Sequence, residues 1–117
     1  MTKSTQQAQI DEFIALAEGQ WKSINDGDSS SGNKKAKQID KIVTLWGHDG
    51  DASRILNLLV EHASPSVRLA SASHLINYGG SDVAASVLQD LSRSEVGMIS
   101  VFADTVLRVR NLTSKHS

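Results

Sequence analysis

Apolar residues return every three or four positions along nearly the whole chain, the spacing of one buried helical face. The first such series is Ile10, Phe13, Ile14, Ala17, Trp21 and Ile24, with Asp11, Glu12, Glu18 and Gln20 opposite. It predicts a helix from Gln7 that stops at Asn25-Asp26-Gly27-Asp28, where Gly27 takes a left-handed conformation. Ser29-Ser30-Ser31-Gly32-Asn33 reads as a connector, and any of these residues could cap the helix that follows. That second helix is expected over 34–46, with Ala36, Ile39, Ile42 or Val43, and Trp46 inward. Gly47-His48-Asp49-Gly50 ends it, and Asp51 is the expected N-cap of a third helix over 52–62. Ile55, Leu56, Leu58, Leu59 and Val60 make this third helix apolar around most of its circumference, which predicts a central position.

Pro65 fits the first turn of a fourth helix capped by Ser64, because proline's missing N–H costs nothing there. Val67, Ala70, Ser71, His74, Leu75 and Tyr78 then recur at helical spacing, and His74 falls on the inward side. Gly79-Gly80 ends this helix. A fifth helix, capped by Ser81 or Asp82, carries Val83, Ala84, Val87, Leu88 and Leu91. Ser92-Arg93-Ser94 reads as a turn, and a sixth helix is expected over 95–111 with Met98, Ile99, Phe102, Ala103, Val106, Leu107 and Val109 apolar. The expected domain is 7–111, with unstructured ends at 1–6 and 112–117. A faint internal repeat sets Val67 over Met98, Ser71 over Phe102, Ala72 over Ala103, Leu75 over Val106 and Tyr78 over Val109.

Composition narrows the class. At 117 residues there is room for one core, and aromatics make up only 4%, so aliphatic side chains must fill it. One proline and little alternating apolarity argue against a mostly β fold. The absence of cysteine excludes disulfides, thiol catalysis and thiolate metal sites. A net charge of −1 argues against a dedicated nucleic-acid binder. There is neither a leader-like apolar segment at the N-terminus nor a run of about 18 apolar residues. The expectation is therefore a cytoplasmic protein with no membrane contact.

Val67-Arg68-Leu69-Ala70-Ser71-Ala72-Ser73-His74-Leu75, followed by Tyr78-Gly79-Gly80-Ser81-Asp82-Val83, resembles one HEAT-type repeat. The chain is similar, over about 13–107, to a small bacterial family of HEAT-like helical bundles known as domain of unknown function twenty-nineteen. Asp40-Lys41-Ile42 matches the family's Asp-Lys-Ile segment, and Leu58-Leu59-Val60-Glu61-His62 its Leu-Leu-x-His segment. Residues 65–74 match its Pro-x-Val-Arg-Leu-x-Ala-Ala-x-His segment, with Ser71 in place of the first alanine of the pair. Residues 28–33 are a polar insertion relative to that pattern. The resemblance implies an all-α fold of about six antiparallel helices in a short HEAT-like stack. It carries no activity, although related small helical proteins often sit beside toxin or effector genes, which suggests an immunity-type role. It further implies that Arg68 reaches an acidic residue in a neighbouring turn, with Asp40, Glu61 and Asp82 the candidates, or else meets a ligand or partner.

Residues of chemical interest are few. His62 would close the third helix, where a positive or polar ring suits the dipole. His62 and His74, with Glu61 or Asp40, lack the i, i+4 pairing of metal-binding helices, so no metal is expected. Asp26-Gly27-Asp28-Ser29-Ser30 fails as a calcium loop, because Ser31 holds the glycine position and Lys37 the bidentate glutamate position. Asn111-Leu112-Thr113 has the form of a glycosylation acceptor but no secretory context. No nucleophile elbow or phosphate-binding glycine loop is present, and Asp11-Glu12 sits on an exposed face without a pocket to raise a pKa. Lys34, Lys35, Lys37 and Lys41 form one basic cluster, and Arg108, Arg110 and Lys115 another; Trp21 and Trp46 read as core rather than as base-stacking surfaces.

The expected function is a non-enzymatic protein-interaction module without cofactor. Lys37, Asp40, Lys41, His62, Arg68 and His74 would anchor a partner protein. A homodimer is also expected, because the terminal helices of a short stack leave apolar faces uncovered. The competing readings are an immunity or antitoxin protein that occludes a toxin, and a nucleic-acid-associated protein using the lysine cluster.

Overall fold

A computed structural model of the chain describes residues 2–94 and 97–111, with side chains from position 6 onward. The expected tail 112–117, with Lys115, His116 and most of the Asn-Leu-Thr motif, lies outside the described residues, as does Glu95, the expected start of the sixth helix. Six helices and no strand occur among the described residues: α1 (Thr2–Asn25), α2 (Ser29–His48), α3 (Ala52–Leu59), α4 (Pro65–Leu75), α5 (Ser81–Ser94) and α6 (Met98–Val109). A short 3-10 turn, Ile76–Tyr78, follows α4. The fold class is all-α, as the periodicity predicts.

Short turns fold consecutive helices back on each other, so α1 packs on α2, α3 on α4 and α5 on α6. The helix at the centre is α4, which also touches α1 and α6 and packs closely on α5. This corrects the central position expected for α3. Leu58 points outward at 64% exposure, so the continuous apolarity of α3 overstates its burial. What qualifies α4 for the centre is small size: Ser71 and Ala72 are fully buried beside Val67 and Leu75. The Ser71 hydroxyl donates back to the Val67 carbonyl at 2.7 Å, so the hydroxyl carries its own partner into the core.

Three helix ends follow one rule. Gly27, Gly50 and Gly79 all have φ near +80°, and each is followed by an N–H that bonds back five residues: Asp28 to Ser23, Asp51 to Trp46, Gly80 to Leu75. These are Schellman ends, satisfying carbonyls that the helix cannot.

Helix starts depart from the pattern. The connector expected at 29–33 is the first turn of α2, and the residue that caps it is Asp28, whose carboxylate accepts from the Ser31 N–H at 3.1 Å and from its hydroxyl at 2.8 Å. Those two bonds hold the Asp28 carboxyl below its ordinary pKa. The extra turn is also packed, because Gly32 lies against Ile24 of α1 so closely that a Cβ there would sit 3.0 Å from Ile24 Cγ1. The helix α1 begins at Thr2 rather than Gln7. Gln6 ties it down by donating to Asp51 Oδ2 at 3.0 Å and accepting from Arg54 at 2.9 Å. Asp51 thus serves α1 and makes no side-chain cap on α3; Ser64 makes none on α4. Ser92, Arg93 and Ser94 belong to α5. Burial does not repeat in the register proposed from the sequence: Ala72 and Ala103 are both fully buried, but Met98 and Val109 are exposed where Val67 is buried and Tyr78 half-buried.

Candidate functional site

Four helices meet around a cavity of about 160 Å³ open to one side. Trp21 of α1 and Phe102 of α6 stand edge to face at its mouth, ring centroids 4.8 Å apart and planes at 89°. Trp21 is buried, whereas Phe102 stays 39% exposed. Ile39 of α2 and Leu69 of α4 supply an apolar floor. The polar rim is Asp40 of α2 and His74 of α4, with Asp40 Oδ1 3.3 Å from His74 Nε2.

His74 therefore faces inward as the spacing predicts, and its partner is Asp40. Burial pushes the His74 pKa below its ordinary 6.5, and the neighbouring Asp40 charge pulls partly the other way. The folded protein favours the neutral ring. Its contribution to stability is then complete above the ordinary histidine pKa and declines as pH falls below it, because the unfolded chain takes up the proton more readily. Urea unfolding is expected to show stability falling from neutral pH to about pH 5, with His74→Gln flattening that decline. Asp40→Asn is expected to lower the His74 pKa further, measured by NMR titration of the imidazole.

The other expected site residues do not join this rim. Lys37 and Lys41 are exposed along the outer side of α2, and Lys41 borders a shallow patch with Leu45 and His48. Lys34 is exposed too, whereas Lys35 turns toward α1 and donates to the Ser23 hydroxyl at 3.3 Å. His62 and Arg68 sit together at the α3–α4 turn. Since α3 ends at Leu59, His62 is not its last residue; it lies in the turn, and its Nδ1 accepts from the Ser64 N–H at 3.0 Å. Arg68 makes no ion pair with Asp40, Glu61 or Asp82. Its Nη1 donates instead to the carbonyls of His62 (2.9 Å) and Ala63 (3.0 Å), so it ties down the turn that the proline opens.

Periodicity sets Trp21 in the core, where it is buried, and Phe102 among the apolar positions of α6; that the two rings line one cavity is not legible in it. One signal bears on it. Apolar residues at 98, 99, 101, 102, 103, 106, 107 and 109 are too many for a single buried stripe, so part of α6 must face solvent. Only Ala103 and Leu107 of that helix are buried. Among the described residues, no three acidic or histidine side chains converge as a metal site would require. No described helix is long and apolar enough to cross a membrane. Compared with known proteins, the chain matches no family model, no curated protein and no solved structure.

Proposed function

We propose that the chain is a non-enzymatic helical module of the cytoplasm that acts by binding another protein, and that the partner docks in the groove rimmed by Phe102, Trp21, Asp40 and His74. The observation that carries this reading is Phe102, a large aromatic left 39% exposed at the mouth of a preformed, mostly apolar cavity. Aromatic residues, phenylalanine among them, are enriched in protein interfaces relative to the rest of the surface. The Asp40 carboxylate adds a fixed acceptor on the rim for a partner's cationic or N–H group. Membership of the HEAT-like family belongs to the same proposal. It is supported by residues 65–75, which form one helix at the centre of the packing, with α5 lying against it. Occlusion of a toxin is the narrower form of the reading, and a tight 1:1 complex would mark it.

Selection of displayed peptides on the full chain tests the groove. Segments with one large apolar anchor beside a basic residue are expected to be enriched. In a Trp46→Phe background they should alter Trp21 emission. Phe102→Ser should abolish binding and Asp40→Asn weaken it. Selected segments that bind Phe102→Ser undiminished would remove the groove as the docking site.

Self-association is part of the same reading. Met98, Val101 and Val109 are exposed on the outer side of α6, Val101 at 55% and Val109 at 74%. Sedimentation at micromolar concentration is expected to show a dimer, and Val101→Lys with Val109→Lys a monomer. Wild-type protein that sediments as a monomer would defeat the expectation.

A further inference from the structure

A second cavity, of about 280 Å³, lies where the end of α3 meets α4 and α5, apart from the groove. Arg68 enters it from the first turn of α4 and Arg93 from the last turn of α5. Asp90 and Ser86 share the lining, and Val60 and Val87 give it an apolar wall. The Arg68 guanidinium is held by one nitrogen only, through the two carbonyl bonds of Nη1. Its Nε–H and the adjacent Nη2 hydrogens have no acceptor among the described residues. No described carboxylate lies within ion-pair distance of Arg68 or Arg93, although Asp90 lines the same cavity.

We propose that this cavity binds a carboxylate group, with the free edge of Arg68 as its bidentate anchor. Three features meet there. The two carbonyl bonds fix the guanidinium plane in advance, so little freedom is lost when an anion docks. The edge left open presents two parallel N–H groups, the geometry that matches the two oxygens of a carboxylate. A half-buried cation without a counter-charge is also costly, and an incoming anion relieves that cost. The charge balance selects among anions. Two guanidiniums and one carboxylate leave a single net positive charge, which suits a monoanion, whereas a phosphate near its dianionic state would meet Asp90. The wall of Val60 and Val87 accommodates an apolar group attached to the carboxylate. The ligand is thus a small organic acid or the carboxyl end of a peptide, recognised by the same chemistry.

The test uses the full chain and NMR of the arginine Nε–H signals together with the backbone amides of α5. The probes are N-acetyl-leucine, N-acetyl-leucinamide, acetate and inorganic phosphate. N-acetyl-leucine is expected to shift the Arg68 Nε–H signal saturably in the millimolar range, about tenfold more tightly than the uncharged amide. Arg68→Lys, which keeps the charge but loses the fork, should weaken it about tenfold. Arg93→Gln should weaken it severalfold; Arg93 is exposed, so the fold is left intact. N-acetyl-leucine binding more tightly than acetate assigns the site to a chain end or amino acid, and equal binding assigns it to a small free acid; both support a carboxylate site. An amide that binds as well as the acid, phosphate that binds more tightly than either acid, or an Arg68 signal that does not move to saturation would overturn it. The signal is read on the unaltered chain, so a variant that loosens the α3–α4 turn cannot obscure the result.

Discussion

Trp46→Ala is expected to cost about 3–5 kcal/mol of folding stability, the range for truncating a large buried aromatic. Single domains hold only about 5–15 kcal/mol in total, so the variant should sit at the edge of unfolding at room temperature. Trp46 is fully buried, its ring centroid 5.6 Å from that of Phe13, and its indole N–H donates to Gln9 Oε1 at 3.0 Å. The substitution therefore removes an α1–α2 contact and a side-chain bond across the same pair of helices. Two controls separate these effects. Trp46→Phe keeps an aromatic ring and loses the bond, and Gln9 is half-exposed, so its oxygen can turn to water; about 1 kcal/mol is expected. Trp21→Ala removes a core ring that is 5% exposed and also lines the groove, where water can fill the space it leaves, so its cost should be the smaller of the two alanine variants. Urea unfolding followed by circular dichroism measures all three. A Trp46→Ala midpoint within error of wild type would mean that α1 and α2 are not held together at this point.

The order of the six helices is legible in the sequence because two independent signals agree. Apolar spacing marks each helix, and a left-handed glycine follows three of them, at Gly27, Gly50 and Gly79. Inward positions such as Phe13, Ile39, Val67 and Leu88 are buried for the same reason. The helix starts are less legible. Serine, glycine and asparagine at 29–33 are poor helix formers, and local propensity alone writes them as a loop. Tertiary contact decides otherwise: Asp28 caps the turn and Gly32 seats it against Ile24. A similar override continues α5 through Ser92, Arg93 and Ser94, where the Ser92 carbonyl accepts from the Ser100 hydroxyl of α6 at 2.8 Å.

The candidate site divides along the same line. His74 facing inward is a matter of period within one helix, and the spacing shows it. Its partner Asp40 lies on a different helix, and nothing local to α4 singles it out from Glu61 as the acid that faces the ring. The groove itself needs α1, α2, α4 and α6 to converge, and no pattern local to α6 says that Phe102 will rest against Trp21. Arg68 shows the opposite failure. The HEAT-like resemblance implies an ion pair, but the chain places backbone carbonyls nearer to it than any described carboxylate. A proline-opened helix leaves the carbonyls of the preceding turn without helical donors, and an arginine one turn in can reach them.

Gly80→Ala is expected to be the most damaging single-methyl change in the chain. A Cβ at this position would come within 2.7–2.8 Å of both Leu75 methyl groups, and closer still to Leu75 Cγ, where real contacts essentially never lie. Leu75 is fully buried and cannot swing aside without disturbing the core. Overpacking of this kind typically costs about 1–3 kcal/mol. The neighbouring glycine gives the contrast. Gly79 is left-handed at φ 85° with nothing within 4 Å of a built Cβ, so Gly79→Ala pays for backbone conformation alone, about 1 kcal/mol. Asparagine tolerates that conformation, and Gly79→Asn should recover part of the loss. Gly80→Asn should recover nothing, since its obstacle is the Leu75 side chain. The mechanism also predicts coupling. In a Leu75→Ala background the clashing atoms are gone, so adding Gly80→Ala should cost much less than it does in the wild-type chain. Additive losses in that double-mutant cycle, measured by urea unfolding, would show that Gly80 is required for some reason other than the close approach of Leu75.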